Sequence, residues 1–396
     1  MKTVVAQLVW TPEGCLANAA VDLAPDERTI LDIRPATAAD GDRLPGLLIP
    51  GLCNAHLHLE LSWLAGRVPR SGNGFAPWVK GMMAARSEPI EQAEMESAAS
   101  QWAEKMQRAG TALVCDISNQ GWTAPHLRHH GLSGVVQREL VGFAPDASTL
   151  ALADAPAVHV GGVVSRPTSH ALYSTHPDVL GKTLGMRRGV PSTIHLAEDQ
   201  AELDFLLDGS GPYGALHTRA GVDWRTVGVP GCDPVVYLDR LGLLGPGLLA
   251  VHGVFLSDAG QRRLADTGTP LCLCPRSNRW IGGDLPNVVS LLNAGVTLCL
   301  GTDSLASNDD LDVLAEIPEL ARSFPEVPVT RWLDMATRGG ARALQTTWGA
   351  IVPGQAPGLV LLEGVEHVDA LADKPPERRI WVARPGDSPW GDGDRT

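Results

Sequence analysis

No apolar run in this 396-residue chain approaches the roughly 20 residues that a membrane-spanning helix needs, so a membrane partner is not expected. No Lys/Arg cluster stands out, and 32 basic against 45 acidic residues give a formal net charge of −13. Nothing here would neutralise a run of phosphates, which excludes nucleic acid as principal partner. The seven cysteines include no C-x-x-C pair, and their odd number and apolar surroundings read as reduced, buried thiols of a cytoplasmic protein. The N-terminus has one cation and an apolar stretch broken by Gln7, and Thr11-Pro12-Glu13-Gly14 reads as a turn, so no signal peptide is expected. What remains is an ordinary globular composition, 44% hydrophobic and 19% charged, with mean hydropathy near zero.

Residues 1–49 hold short β-type runs (Thr3 to Trp10, Ile30 to Ile33, Leu47 to Ile49) broken by Gly, Pro and Asp. From about residue 50, buried-strand runs alternate with amphipathic helices: Ala112 to Ile117, Gly134 to Leu140, Val158 to Val164, Ser192 to Leu196, Leu248 to Val254, Pro270 to Cys274 and Val296 to Leu300. With the segment entering His56 they make eight strands. No G-x-G-x-x-G follows the first of them, so an α/β fold of the (β/α)₈ type over 50–348 fits better than a doubly wound sheet. The tail, 349–396, returns to short apolar runs and is expected to complete the N-terminal β-domain.

Histidine placement carries the chemistry. His56 and His58, His195 and His252 lie at strand ends, and Asp303 ends the eighth strand. Positions i and i+2 of a strand share a face, so His56 and His58 present two imidazoles to one point. In a barrel the strand C-termini converge on one mouth. Neutral imidazoles and a carboxylate suit one divalent metal ion, Zn²⁺ first, with Fe²⁺ and Mn²⁺ as alternatives. Glu198, three residues past His195, can face the same water; the macrodipole would equally favour it as a first-turn helix glutamate. His252 taken alone would equally be a core histidine.

Pro50-Gly51-Leu52-Cys53-Asn54-Ala55-His56-Leu57-His58 resembles the P-G-x-x-N-x-H-x-H opening of the amidohydrolase superfamily. His195-Leu196-Ala197-Glu198, His252-Gly253 and Gly301-Thr302-Asp303-Ser304 are similar to later motifs of its cytosine, S-adenosylhomocysteine and triazine deaminase branch. The resemblance implies a barrel with a composite β-sandwich from both termini. It implies His56, His58, His195 and Asp303 as metal ligands, with Glu198, His252 and Asp303 serving the chemistry. Strand four, read as Val158 to Ser165, ends without Lys or Glu, so the bridging ligand of binuclear relatives is missing and one metal is expected.

The resemblance also bears on substrate. Ser169-His170-Ala171-Leu172-Tyr173 looks like a segment whose histidine contacts substrate in adenosine-type deaminases. The run from His56 through Glu60 to Ser62, Gly74 to Val79, and Arg138-Glu139 are most similar to aminodeoxyfutalosine deaminases of menaquinone biosynthesis. The expected small-molecule substrate is thus a 6-aminopurine nucleoside such as 6-amino-6-deoxyfutalosine. The alternatives are S-adenosylhomocysteine, methylthioadenosine or another aminoazaheterocycle, triazine-type chlorohydrolysis, or a noncatalytic barrel. Arg276, then Arg138, is the expected holder of a substrate carboxylate, because the guanidinium fork binds carboxylates bidentately. Trp280 is expected to line the pocket, and a homodimer is expected because such barrels commonly pair.

Overall fold

The computed structural model describes residues 2–70, 74–185, 189–377, 379–387 and 389–390. The apolar runs at the two ends of the chain condense into one six-stranded sheet. Its strands are β1 (Lys2–Thr11), β2 (Gly14–Leu23), β3 (Ile30–Pro35), β4 (Leu44–Pro50), β14 (Leu359–Glu363) and β15 (Arg379–Ala383), in the order β15-β14-β4-β1-β2-β3. Antiparallel pairing of β14 with β4, Leu361 opposite Leu48, joins the tail to the N-terminal segment. Strand alternation sorts its side chains: Leu48, Leu359 and Leu361 enter a core of the sheet's own, while Leu47, Ile49, Val360 and Leu362 join the main core. Where a β-sandwich is expected, the described residues form this single sheet.

The intervening chain forms two further sheets. One contains β5 (Leu52–Leu57), β6 (Thr111–Ser118), β7 (Ser133–Leu140), β8 (Val158–Val160) and β9 (Val163–Ser169), in the order β5-β6-β7-β9-β8. The other contains β10 (Ser192–Leu196), β11 (Leu248–His252), β12 (Leu271–Leu273) and β13 (Leu298–Leu300), in sequence order. All neighbours are parallel except β8 and β9. Two isolated parallel bridges, Leu57 to Asp303 and Ala171 to His195, connect the sheets. Near-continuous burial of the parallel strands reflects helices packed outside them, while β8 is exposed.

The expected strand Val158 to Val164 is corrected. Gly161 and Gly162 both have positive φ (54° and 77°), reversing the chain into an antiparallel hairpin, so the parallel strand is β9 and runs on to Ser169. His170 therefore stands at its C-terminal end. All seven cysteines are free and six are buried. No helix among the described residues is long and apolar enough to cross a membrane.

Candidate active site

The C-terminal ends of β5, β10, β11 and β13 bring His56, His58, His195, His252 and Asp303 together. The ring centroids of His56 stand 5.1 Å from His58 and 4.9 Å from His195, and the ligand atoms of these three lie within 4.8 Å of one another. Asp303 Oδ1 is 3.3 Å from His58 Nε2 and 3.8 Å from His56 Nε2. Donors about 2.1 Å from a tetrahedral ion stand about 3.4 Å apart, so these separations need little adjustment to share one ion. β13 can pass this close only because of Gly301, where a Cβ would meet the His56 backbone N and O at 2.8 and 2.7 Å.

Local strain marks the same place. Of the six non-glycine residues with positive φ among the described residues, three belong here: Ala197 (50°), His252 (74°) and Asp303 (57°). Such backbone persists where the surroundings over-determine it, as at functional sites.

Neighbours fix the His195 and His252 rings and the Asp303 carboxylate. His195 Nδ1–H donates to the His170 carbonyl (2.9 Å), leaving the Nε2 lone pair for a cation. Ser277 and Ser307 hydroxyls donate to Asp303 Oδ2 at 2.5 and 2.9 Å, which leaves Oδ1 facing the imidazoles. Asn278 Nδ2–H donates to His252 Nδ1 (3.2 Å), placing the His252 proton on Nε2. Asn54 exchanges hydrogen bonds with Thr302, its Nδ2 to Oγ1 at 2.8 Å and its Oδ1 from the backbone N–H at 3.2 Å, so the motif asparagine ties β5 to the segment bearing Asp303.

His56 tests whether a metal fits. It is fully buried, and neither ring nitrogen has a hydrogen-bond partner among the described residues. Two orphaned polar atoms in one buried ring are costly unless a ligand answers one of them. Burial, then the neighbouring histidines, holds His56 well below its ordinary pKa, so the ring is neutral and able to donate a lone pair. Burial works to raise Asp303, but His58, His252 and the Ser277 hydroxyl outweigh it and keep the carboxylate ionised. Three imidazoles and one carboxylate are a donor set for a borderline-soft divalent ion.

Glu198 stands beside His252 at the edge of the cluster. Its Oε1 lies 3.6 Å from His252 Nε2, and both group with Asp303 within 4.8 Å. Burial, then the carboxylates of Asp303, Glu202 and Asp199, pushes it well above the usual carboxylate range. Tyr173 and Tyr213 stack close by, centroids 3.9 Å apart.

The expected substrate contacts divide. His170 sits beside the cluster, its ring 4.8 Å from His195 and its Nδ1 held by Ser174 Oγ at 2.6 Å. Glu60 is buried, and its Oε2 accepts from Ser118 Oγ and the Gln120 N–H, which braces the end of β6. Arg138 precedes Glu139 on β7, so strand alternation turns it to the opposite face, beside Gly121. Arg276 is a correction: Asp310 holds its guanidinium bidentately (2.8 and 3.2 Å), and the buried Glu316 lies 3.7 Å away. Its charge is met by acidic groups that tertiary packing brings to it. Trp280 is stacked under the Arg70 guanidinium at 4.5 Å and, with Arg276, lines a cavity of about 250 Å³ whose walls include none of the clustered histidines.

Sequence reasoning did not single out Glu139 as a site residue. Its Oε1 faces His195 Nδ1 at 3.5 Å and has no hydrogen-bond partner among the described residues. The available signal was an acidic residue at the C-terminal end of a buried strand.

Comparison with known proteins bears on this geometry. A curated 5-methylthioadenosine/S-adenosylhomocysteine deaminase of Syntrophobacter fumaroxidans is 28% identical over 360 residues, covering 81% of this chain and 72% of that one. The crystal structure of Helicobacter pylori aminofutalosine deaminase in complex with methylthio-coformycin superimposes with a TM-score of 0.82 at 21% identity, covering 98% of this chain and 100% of that one. An adenosine deaminase from Xanthomonas campestris with bound zinc gives 0.74 at 23% identity, covering 99% and 94%. Residues 47–383 match the model of the Amidohydrolase family, to which this chain belongs as a hydrolase of carbon–nitrogen bonds.

Proposed function

We propose that this enzyme hydrolytically removes the exocyclic amino group of a 6-aminopurine nucleoside, with 6-amino-6-deoxyfutalosine as first substrate and futalosine and ammonia as products. The observation carrying the reading is the convergence of His56, His58, His195 and Asp303 beside the Glu198–His252 pair, 3.6 Å apart. The aminofutalosine deaminase likeness over whole chains supports the substrate. The curated relatives support 5′-methylthioadenosine or S-adenosylhomocysteine as the second reading. In this proposal the two parallel sheets close through their bridges into a (β/α)₈ barrel over 50–348, with 1–49 and 349–396 as one small domain.

His56, His58, His195 and Asp303 would hold one divalent ion, zinc by its donor set, and when bound it would supply the Lewis acidity that makes water a nucleophile near neutral pH. Glu198 accepts a proton from the attacking water and delivers it to the ring nitrogen beside the carbon under attack; the remaining hydroxyl proton passes to the exocyclic amine, which leaves as ammonia as the C–N bond breaks and the ring C=O forms. A carboxyl held above its usual range by burial and neighbouring carboxylates keeps the proton until the ring takes it. His252 orients the attacking oxygen through Nε2–H, and Asn278 keeps the proton on that nitrogen. His170, anchored by Ser174, presents its remaining nitrogen to the nucleoside.

The test is ammonia release from a panel of 6-amino-6-deoxyfutalosine, 5′-methylthioadenosine, S-adenosylhomocysteine and adenosine, with chelator-treated enzyme as control. Highest kcat/KM on 6-amino-6-deoxyfutalosine, abolished by chelation and restored by zinc, is expected. Turnover of none of the four would sink the proposal.

A further inference from the structure

Glu202 lies in the first turn of the helix Gln200–Asp208 and has no exposed surface. No Lys, Arg or His among the described residues pairs with it, and its Oε1 has no hydrogen-bond partner among them. Its Oε2 accepts the Glu198 N–H at 3.3 Å, and the Ala197 N–H also hydrogen-bonds the carboxyl. A glutamate at this helix position ordinarily reaches back to the N-cap N–H. Here the N-cap is Asp199, and Glu202 reaches past it to the two residues before. Those residues form the strained link between β10 and the helix, where Ala197 has φ 50° and its carbonyl accepts the Phe255 N–H at 2.8 Å. An uncompensated buried carboxyl is costly, and capping of a surface helix would not require it.

We propose that Glu202 is a positioning residue: it holds the Ala197-Glu198 turn so that the Glu198 carboxyl points at His252 Nε2 and the metal-ligand cluster. The idea rests on the reading that Glu198 moves the proton. Glu202 accepts from the N–H, and the Phe255 N–H donates to the carbonyl, of the one peptide that joins Ala197 to Glu198, which fixes the orientation of the backbone from which the Glu198 side chain projects. Displacement of a reacting group by about 1 Å can cost about 100-fold in rate, so loosening this turn should appear in kcat.

The experiment compares wild type, Glu202→Ala, Glu202→Gln and Glu198→Gln. It measures kcat and KM for ammonia release from 6-amino-6-deoxyfutalosine and 5′-methylthioadenosine, metal per chain, and hydrogen exchange of the peptide spanning Ala197 and Glu198. Glu202→Ala should lower kcat about 10- to 100-fold with KM within about threefold, keep its metal, and speed exchange of that peptide. Glu202→Gln, whose side-chain oxygen still accepts, should recover most of the loss. Unchanged kcat in Glu202→Ala, or equal losses in Ala and Gln, overturns the proposal. If neither substrate is turned over, the proposed function fails, and if Glu198→Gln keeps wild-type turnover, the proton role of Glu198 fails. Exchange then decides alone: faster exchange in Glu202→Ala supports Glu202 as holder of the turn, and unchanged exchange overturns it.

Discussion

Glu198 Oε1 stands 3.6 Å from His252 Nε2, and the opposite nitrogen of that ring is held by Asn278 at 3.2 Å. One ring thus has its proton placed by an amide and aimed at a carboxyl that burial and acidic neighbours keep easily protonated. Burial lowers His252 while it raises Glu198, the opposed environments expected of the proposed acid–base pair. Glu198→Gln is expected to lower kcat by about 10² to 10⁴, the usual worth of general acid–base catalysis, with metal content unchanged. Steady-state kinetics beside metal analysis checks this; near-wild-type turnover would move the proton transfer to His252.

Metal content is expected at about one ion per chain, and His195→Ala should lose it. His195 has its Nδ1 committed to the His170 carbonyl and offers its Nε2 to the cluster, and the substitution removes that donor. Ser277→Ala should be milder. It removes one of two hydroxyl donors to Asp303 Oδ2, and loss of such a supporting contact typically weakens metal binding about 10- to 100-fold. Competition with a chelator measures both. Two tightly bound ions in wild type would refute the single-metal assignment, and equal affinity in Ser277→Ala would show Ser307 sufficient.

Arg276→Met is expected to leave KM for a carboxylate-bearing nucleoside within about twofold while lowering the melting temperature. Removing the guanidinium strands Asp310 and leaves the buried Glu316 without its cation, and breaking a pair on one side costs more than the pair itself contributes. Kinetics and thermal unfolding separate the two roles. A tenfold rise in KM at unchanged melting temperature would return Arg276 to the substrate.

Much of the ligand cluster was legible because strand geometry is periodic: i and i+2 share a face, so His56-Leu57-His58 already places two imidazoles together. His195, His252 and Asp303 followed from strand ends bounded by apolar runs. Less legible was anything set by a single turn. Val158 to Val164 reads as one apolar run, yet Gly161-Gly162 breaks it into a hairpin and shifts the strand end to Ser169. β2 was missed because its first half, Cys15 to Asn18, is small and exposed. Arg276 could not be judged from sequence because Asp310, 34 residues on, returns to it only through tertiary packing.

Glu202 makes a prediction about stability as well as rate. Burial, partly offset by the Ala197 and Glu198 N–H groups, raises its carboxyl from 4.5 to about 8 in the folded chain. The folded state therefore holds this proton over a range where the unfolded chain has released it. Stability from this group is fully present below about pH 4.5 and declines as pH rises through about 8. Each unit of pKa difference corresponds to about 1.4 kcal/mol, so the span is on the order of a few kcal/mol for a group this buried. Glu202→Gln cannot ionise and should be less sensitive to pH over the same interval. Denaturant midpoints of both proteins, metal-loaded, at pH 5, 6.5 and 8 isolate this group, because Asp116 and Glu316, also raised by burial, are common to the two. The wild type should lose stability relative to Glu202→Gln at each step upward. A constant difference across the three pH values would mean that Glu202 is ionised throughout, held by its two N–H donors despite burial.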